Sequence, residues 1–305
     1  MLIDIHVHTA TRVGPRRPNG ETFATPEELI AMFDARGIAR GVLLPSVSPE
    51  CAHQLVAPEE CLDAVARHPG RFTAFCNLDP RMLTDSPAAD FTPMLEHYKG
   101  RGCKGVGELC ANLPLDDPRV LNLFRHCEAC QMPVTFHLST GLGGTYGLYD
   151  DLGLPRLEEA LRRFPALVFL GHSQAFWSEI GGDVAEATRG GYPRGPVADG
   201  GRVVALMRAC PNLCGDLSAH SGYNALRRDP AFGYRFLEEF QDRLFFGTDI
   251  CAPTNQTPIV EFLRDAAEQG HISRPACEKV GWRNAARLLG LTPQTGGTLC
   301  ASPGR

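Results

Sequence analysis

The first ten residues, Met1-Leu-Ile-Asp-Ile-His-Val-His-Thr-Ala10, constrain this chain more than any other stretch. Leu2, Ile3, Ile5 and Val7 read as a short buried strand. Side chains two apart in a strand project to one side, so His6 and His8 face the same way, roughly 7 Å apart along the backbone. Two imidazoles so related can share one metal ion, with Asp4 or a backbone carbonyl orienting them from behind. A His-x-His pair alone is as readily a surface feature or a pair of hydrogen-bonded core histidines. The deciding question is whether the chain supplies further ligands in matching places.

The strand opens a repeating pattern. A Pro/Gly/Arg-rich loop from Thr11 to Thr25 leads to Thr25-Pro-Glu-Glu28, a helix start with a hydroxyl cap, Pro at the first position and acids in the first turn. Further strands are expected at Gly41–Ser46, Arg71–Asn77, Cys103–Glu108, Pro133–His137, Ala166–His172, Asn212–Ser218 and Arg243–Asp249. Helices follow them from Pro58, Phe91, Pro118, Pro155, Gly201, Tyr223 and Pro258. Strict strand–helix alternation over about 290 residues implies parallel strands closed into a single-domain (β/α)8 TIM barrel with long rim loops. A doubly wound open sheet would carry a Gly-rich phosphate turn after its first strand, and none is present. The barrel is expected to occupy residues 1–291, with a last helix, Pro275 to Leu289, packed on its exterior. The Gly/Thr/Ser/Pro-rich residues 292–305 read as a mobile tail.

Composition excludes several function classes. A hydrophobic content of 43% is enough for a large core. The net charge of −5 leaves no footprint for nucleic acid or an anionic membrane. No apolar run approaches the roughly 20 residues that span a bilayer. With no export pattern at the N-terminus, the 12 cysteines are expected to be reduced thiols of a cytoplasmic protein. Cys127-Glu-Ala-Cys130 has redox or zinc spacing, but it lies within an expected helix without a second pair and reads as core packing.

In a barrel of this kind the C-terminal strand ends converge on the active site. Those ends carry His6 and His8, Glu108, His137, His172 and Asp249. Each has a bland reading alone, as a buried histidine or a helix cap. Together on one rim they would bury carboxylates and imidazoles at several kcal/mol per charge without compensation. One or two divalent cations remove that penalty.

Asp4-Ile-His-Val-His8 with Thr-Phe-His137, Leu-Gly-His172, Gly-Thr-Asp249 and the closing Gly281-Trp-Arg-Asn-Ala-Ala-Arg-Leu-Leu-Gly290 resembles the amidohydrolase superfamily. More narrowly it resembles the amidohydrolase-related branch of hydrolases, lactonases and decarboxylases. The resemblance implies that His6, His8 and Asp249 bind one metal. His137 and His172 then bind a second, or His137 joins the first and His172 contacts substrate. It also implies a fourth-strand bridging group. Glu108 fits that role, since Lys104 lies too far from the rim. Decarboxylases of this branch lack such a ligand, so Glu108 favours hydrolysis of an amide, lactone or other ester-like bond, with decarboxylation of a small acid as the alternative. Asp249 would serve as base and His172 as oxyanion stabiliser. Zinc suits the His/carboxylate ligands best, with Mn or Fe as alternatives.

The rim loops are expected to choose a small-molecule substrate. Arg12, Arg16 and Arg17 could each pair with a substrate carboxylate, Arg12 being preferred. Trp177, with Phe176 and Tyr192, and Tyr146 and Tyr149 on the preceding Gly-rich loop, suit a lid. His220, beside Ser218 and Asn224, is a further substrate contact. A homo-oligomer is compatible with the sequence.

Overall fold

A hydroxyl cap and a left-handed glycine bracket the first helix. The computed structural model describes residues 1–291 except Pro18 and Ala52, so the expected tail lies outside the described residues. Strands β1 (Leu2–Val7), β2 (Ile38–Leu43), β3 (Phe72–Ala74), β4 (Val106–Leu109) and β5 (Val134–Ser139) come first, then β6 (Leu148–Tyr149), β7 (Phe169–His172), β8 (Leu213–Asp216) and β9 (Leu244–Phe245). Between them lie α1 (Pro26–Arg36), α2 (Pro58–Arg67), α3 (Thr92–Gly100), α4 (Pro118–Ala129), α5 (Pro155–Arg163), α6 (Gln174–Trp177), α7 (Arg202–Ala209), α8 (Ala219–Arg227) and α9 (Pro230–Glu239). After β9 come α10 (Ile259–Glu268), α11 (Arg274–Glu278) and α12 (Asn284–Leu288).

In α1, Thr25 accepts from the Glu28 N–H while the Glu28 carboxylate accepts from the Thr25 N–H, a complete capping box. Gly37, at φ 73°, ends the helix in the left-handed region and hands the chain directly to β2. That strand therefore starts at Ile38, three residues before the sequence pattern places it. The single helical stretch expected from Tyr223 onward is two helices, broken where Asp229 caps α9 ahead of Pro230.

All strand pairs are parallel. One sheet runs β1-β2-β3 and the other β4-β5-β7-β8-β9, with β6 hydrogen-bonded to the end of β5. Two seams join the sheets. Cys76 bridges to Val106, with Cys76 N–H donating to the Gly105 carbonyl and Gly107 N–H to that of Cys76. Val7 bridges to Ile250, with Ile5 N–H donating to Phe246 and His8 N–H to Ile250. The eight main strands thereby follow one another round a TIM barrel.

The inside of the ring is one apolar cluster: Ile3, Ile5, Val42, Leu44, Phe75, Leu170, Cys214 and Phe245, joined by Ala285, Ala286 and Leu289. The last three belong to the C-terminal helical segment. That segment does not lie on the barrel exterior, as the sequence suggests; it plugs the N-terminal pole. Its Asn284, fully buried, donates to the Gln241 and Leu244 carbonyls at 2.7 and 2.9 Å. A larger cluster fills the space between strands and outer helices. Every cysteine in the described residues is a free thiol, and Cys127 and Cys130 are buried at the end of α4. No helix among those residues is long and apolar enough to cross a membrane.

Candidate metal centre

Strict alternation along β1 would turn Ile3, Ile5 and Val7 to one side and Leu2 and His6 to the other. The structure instead puts Ile3 and Ile5 inside the ring and Val7 with Leu2 outside it. A register shift between Asp4 and Val7 makes the switch. The Asp4 carboxylate holds it, accepting from the His6 N–H at 3.1 Å and from the N–H and hydroxyl of Thr248. His6 and His8 are thereby re-aimed over the C-terminal mouth. Strand β4 has the same device: a register shift between Val106 and Leu109 leaves Val106 outside and turns Glu108 inward. Simple alternation would give Val106 and Glu108 the same side; the shift breaks it, and Lys104 is exposed ahead of the strand, away from the rim.

The six metal-capable residues meet. His6 Nε2 and His8 Nε2 face each other at 3.1 Å. Glu108 Oε2 lies 3.7 and 3.5 Å from those nitrogens, and Asp249 Oδ1 lies 3.6 and 3.5 Å from them. His172 Nε2 is 3.7 Å from Glu108 and 3.9 Å from Asp249. His137 Nδ1 is 2.8 Å from Glu108 Oε1. Asp249 sits at φ 55°, a left-handed conformation that Asp tolerates and that brings its carboxylate back over the mouth.

Support comes from behind. His6 Nδ1 pairs with the fully buried Asp216 at 2.6 Å, and His8 Nδ1 with the Leu44 carbonyl at 3.0 Å. Asp216, not Asp4, is therefore the carboxylate that orients the first histidine. It ends an apolar strand run as every other site residue does, and that signal was available in the sequence. The hydroxyl of Ser218 meets His172 Nδ1 at 2.9 Å.

Burial alone pushes the His6 imidazole down, but the carboxylates of Asp216, Glu108 and Asp249 outweigh it and hold its pKa well above the ordinary value. Burial raises Glu108, yet His6 and His137 bring it well below the usual carboxylate range. His172 is pushed down to about 4 by burial and by the neighbouring His6. Two imidazole nitrogens pointing at each other, ringed by carboxylates, are a donor set that fits a divalent cation.

The expected substrate residues fare differently. Trp177 is buried beneath the site rather than on a lid, its indole N–H donating to the Asp216 carbonyl at 2.8 Å. His220 is exposed on α8 against Tyr192 and Tyr223, in an outer groove with Asn224. Arg12 is exposed, and its carbonyl accepts from Gln54. Arg17 donates to Cys251 Sγ at 3.0 Å and lies over Phe23, whose ring is 6.5 Å from that of His8. The two Gly-rich loops are pinned together, since buried Arg189 pairs with Glu179 and donates to the Asp150 carbonyl at 2.6 Å. Tyr146 stands over the mouth, its ring 4.6 Å from that of His137. Cys110, which the sequence reading passed over, joins Glu108 and His137.

The amidohydrolase family profile matches residues 3–291. The chain belongs to the amidohydrolase family. Its fold is shared with an uncharacterized TIM-barrel protein from Bordetella bronchiseptica, 18% identical with a TM-score of 0.66 over 95% of this chain and 98% of that one. A probable 2-pyrone-4,6-dicarboxylic acid hydrolase from Acinetobacter baumannii, crystallised with citric acid, is 15% identical with a TM-score of 0.57, covering 95% and 99%. A dihydroxybenzoic acid decarboxylase from Polaromonas, with bound manganese and the inhibitor 2-nitroresorcinol, is 17% identical with a TM-score of 0.57, covering 95% and 96%. No curated protein matches the chain. Family membership makes the chain an enzyme of a type that includes both hydrolases and decarboxylases.

Proposed function

We propose that this amidohydrolase family member is a zinc-dependent hydrolase of an amide, lactone or other ester-like bond in a small organic substrate. The observation that carries the reading is Glu108, a fourth-strand carboxylate with one oxygen toward His6 and His8 and the other toward His137. A cation held by His6, His8, Glu108 and Asp249 supplies Lewis acidity, polarising a carbonyl and making water acidic enough to be deprotonated near neutral pH.

The chain's own groups do the rest. Asp249 is the most open of the centre's carboxylates, its side chain 27% exposed, and takes the proton of the attacking water and returns it to the leaving group. Neutral His172, with the Ser218 hydroxyl donated to Nδ1, presents Nε2–H to the oxygen that gains negative charge. Asp216 and the Leu44 carbonyl hold His6 and His8 in place throughout.

A decarboxylase reading draws on Arg17, whose guanidinium beside Cys251 could hold a substrate carboxylate. The two are separated by challenging zinc-loaded protein with a panel of lactones, amides and hydroxylated aromatic acids while following proton and carbon dioxide release in parallel. Ring-opened or cleaved product without carbon dioxide is the expected result; turnover that releases carbon dioxide from an acid overturns the hydrolase. Glu108→Gln should lower kcat well over tenfold, a barrier increase above about 1.4 kcal/mol, and a variant with wild-type kcat and metal content removes Glu108 from the site.

A further inference from the structure

Glu108 is shared between two donor sets, and only one of them has been described. Its Oε2 faces His6 and His8, while Oε1 faces His137 Nδ1 at 2.8 Å. Two residues further on, just past the end of β4, Cys110 is 4% exposed. Of the other cysteines, Cys51 is only partly buried. Donor atoms of Glu108, Cys110 and His137 all lie within 4.8 Å of one another. Cys127 and Cys61, by contrast, are enclosed in the apolar cluster outside the barrel. A cysteine placed beside a carboxylate and an imidazole does not serve hydrophobic packing, because burial of those polar partners needs its own compensation.

We propose that Glu108, His137 and Cys110 form a second cation site, thiolate-bearing and open at its fourth position, next to the His6/His8 site. The inference rests on the metal-dependent reading above and adds a sulfur ligand to it. Carboxylate, imidazole and thiolate together select a zinc-class ion over magnesium or manganese. Binding breaks the Cys110 S–H bond: sulfur keeps the electron pair and donates it to the cation, and the proton leaves to solvent. Glu108 would serve both ions, with Oε2 turned to His6 and His8 and Oε1 to His137.

Cobalt(II) tests this directly, because a thiolate ligand adds a near-ultraviolet sulfur-to-cobalt charge-transfer band that nitrogen and oxygen ligands do not give. Full-length protein, stripped with chelator and kept reduced, is titrated with cobalt(II) alone. About two equivalents should bind, with the band present in wild type and in Cys51→Ser and absent from Cys110→Ser, which should still bind about one equivalent. Zinc-edge X-ray absorption of wild type should show a sulfur neighbour at about 2.3 Å, a readout independent of whether the variant folds. Cobalt bound without the band, no sulfur at the zinc edge, or a band that survives Cys110→Ser overturns the thiolate site while leaving a one-ion centre intact. Failure to bind cobalt at all overturns both readings.

Discussion

The two poles of the barrel are built from the same strands by opposite means. At the N-terminal pole Ile3, Ile5, Val42 and Phe245 meet Ala285, Ala286 and Leu289 in one apolar cluster. At the C-terminal pole two strands break register so that His6, His8 and Glu108 can face inward. The lower pole satisfies its backbone and excludes water; the upper gathers charges that repel burial. Stability and chemistry are thus assigned to different ends of one ring, and each end should respond to mutation in its own way.

The largest effect should come from the upper pole. Replacing both His6 and His8 with Ala should remove bound metal and lower kcat/KM by more than about a thousandfold, over about 4 kcal/mol of barrier. The thermal midpoint of metal-free protein should stay within several degrees of wild type, because the lower core is untouched. Elemental analysis with calorimetry checks this, and a collapse of the metal-free fold would dissolve the division between the poles.

Acid should sharpen the same contrast. His172 has its folded pKa near 4, below the ordinary 6.5. Above pH 6.5 both folded and unfolded chains hold it neutral; as pH falls from 6.5 to 4 the unfolded chain takes up a proton that the folded one refuses. Metal-free wild type should therefore lose up to about 3 kcal/mol across that window. His172→Asn should flatten this part of the urea-stability profile, and identical slopes for the two proteins would show that His172 is not the group responsible.

At the lower pole, Asn284→Ala strands the Gln241 and Leu244 carbonyls. A loss of about 1–3 kcal/mol is expected, with kcat unchanged per folded molecule. A kcat defect here would mean that the poles are coupled. The smallest effect belongs to Trp177→Phe, which deletes one hydrogen bond to the Asp216 carbonyl for about 1 kcal/mol. Kinetics near wild type would agree with its place beneath the site, whereas a marked rise in KM would return it to the substrate wall.

Much of this was legible in the sequence because strand ends can be read. An apolar run stopping at His137, His172 or Asp249 marks both the strand and the rim, so alternation of elements and the six-residue constellation follow from one pattern. The bulges were not legible. The one in β1 arises where Asp4 reaches Thr248, a contact 244 residues away that exists only once the ring closes. Asp216 and Cys110 follow the strand-end rule and were passed over among neighbouring polar residues. Trp177 and Arg12 misled because loop composition says what a segment could contact, not which way it turns. The final helix misled for a related reason: its small residues, Ala285 and Ala286, suit a narrow pole better than an outer face, but only the ring's shape reveals that.

The plug at the lower pole also bears on the order of assembly. Its residues pack against Ile3 and Ile5, so the first strand and the last helix, nearly the full length of the chain apart, finish each other's burial. Long-range closure of this kind is slow, since the entropy of ordering the intervening chain is spent before the contact forms. Until residue 289 has been made, a nascent chain holds an open-ended ring with an oily mouth. That mouth is the surface a chaperone would find, and truncation before Asn284 should leave a collapsed, aggregation-prone species in place of a weaker enzyme.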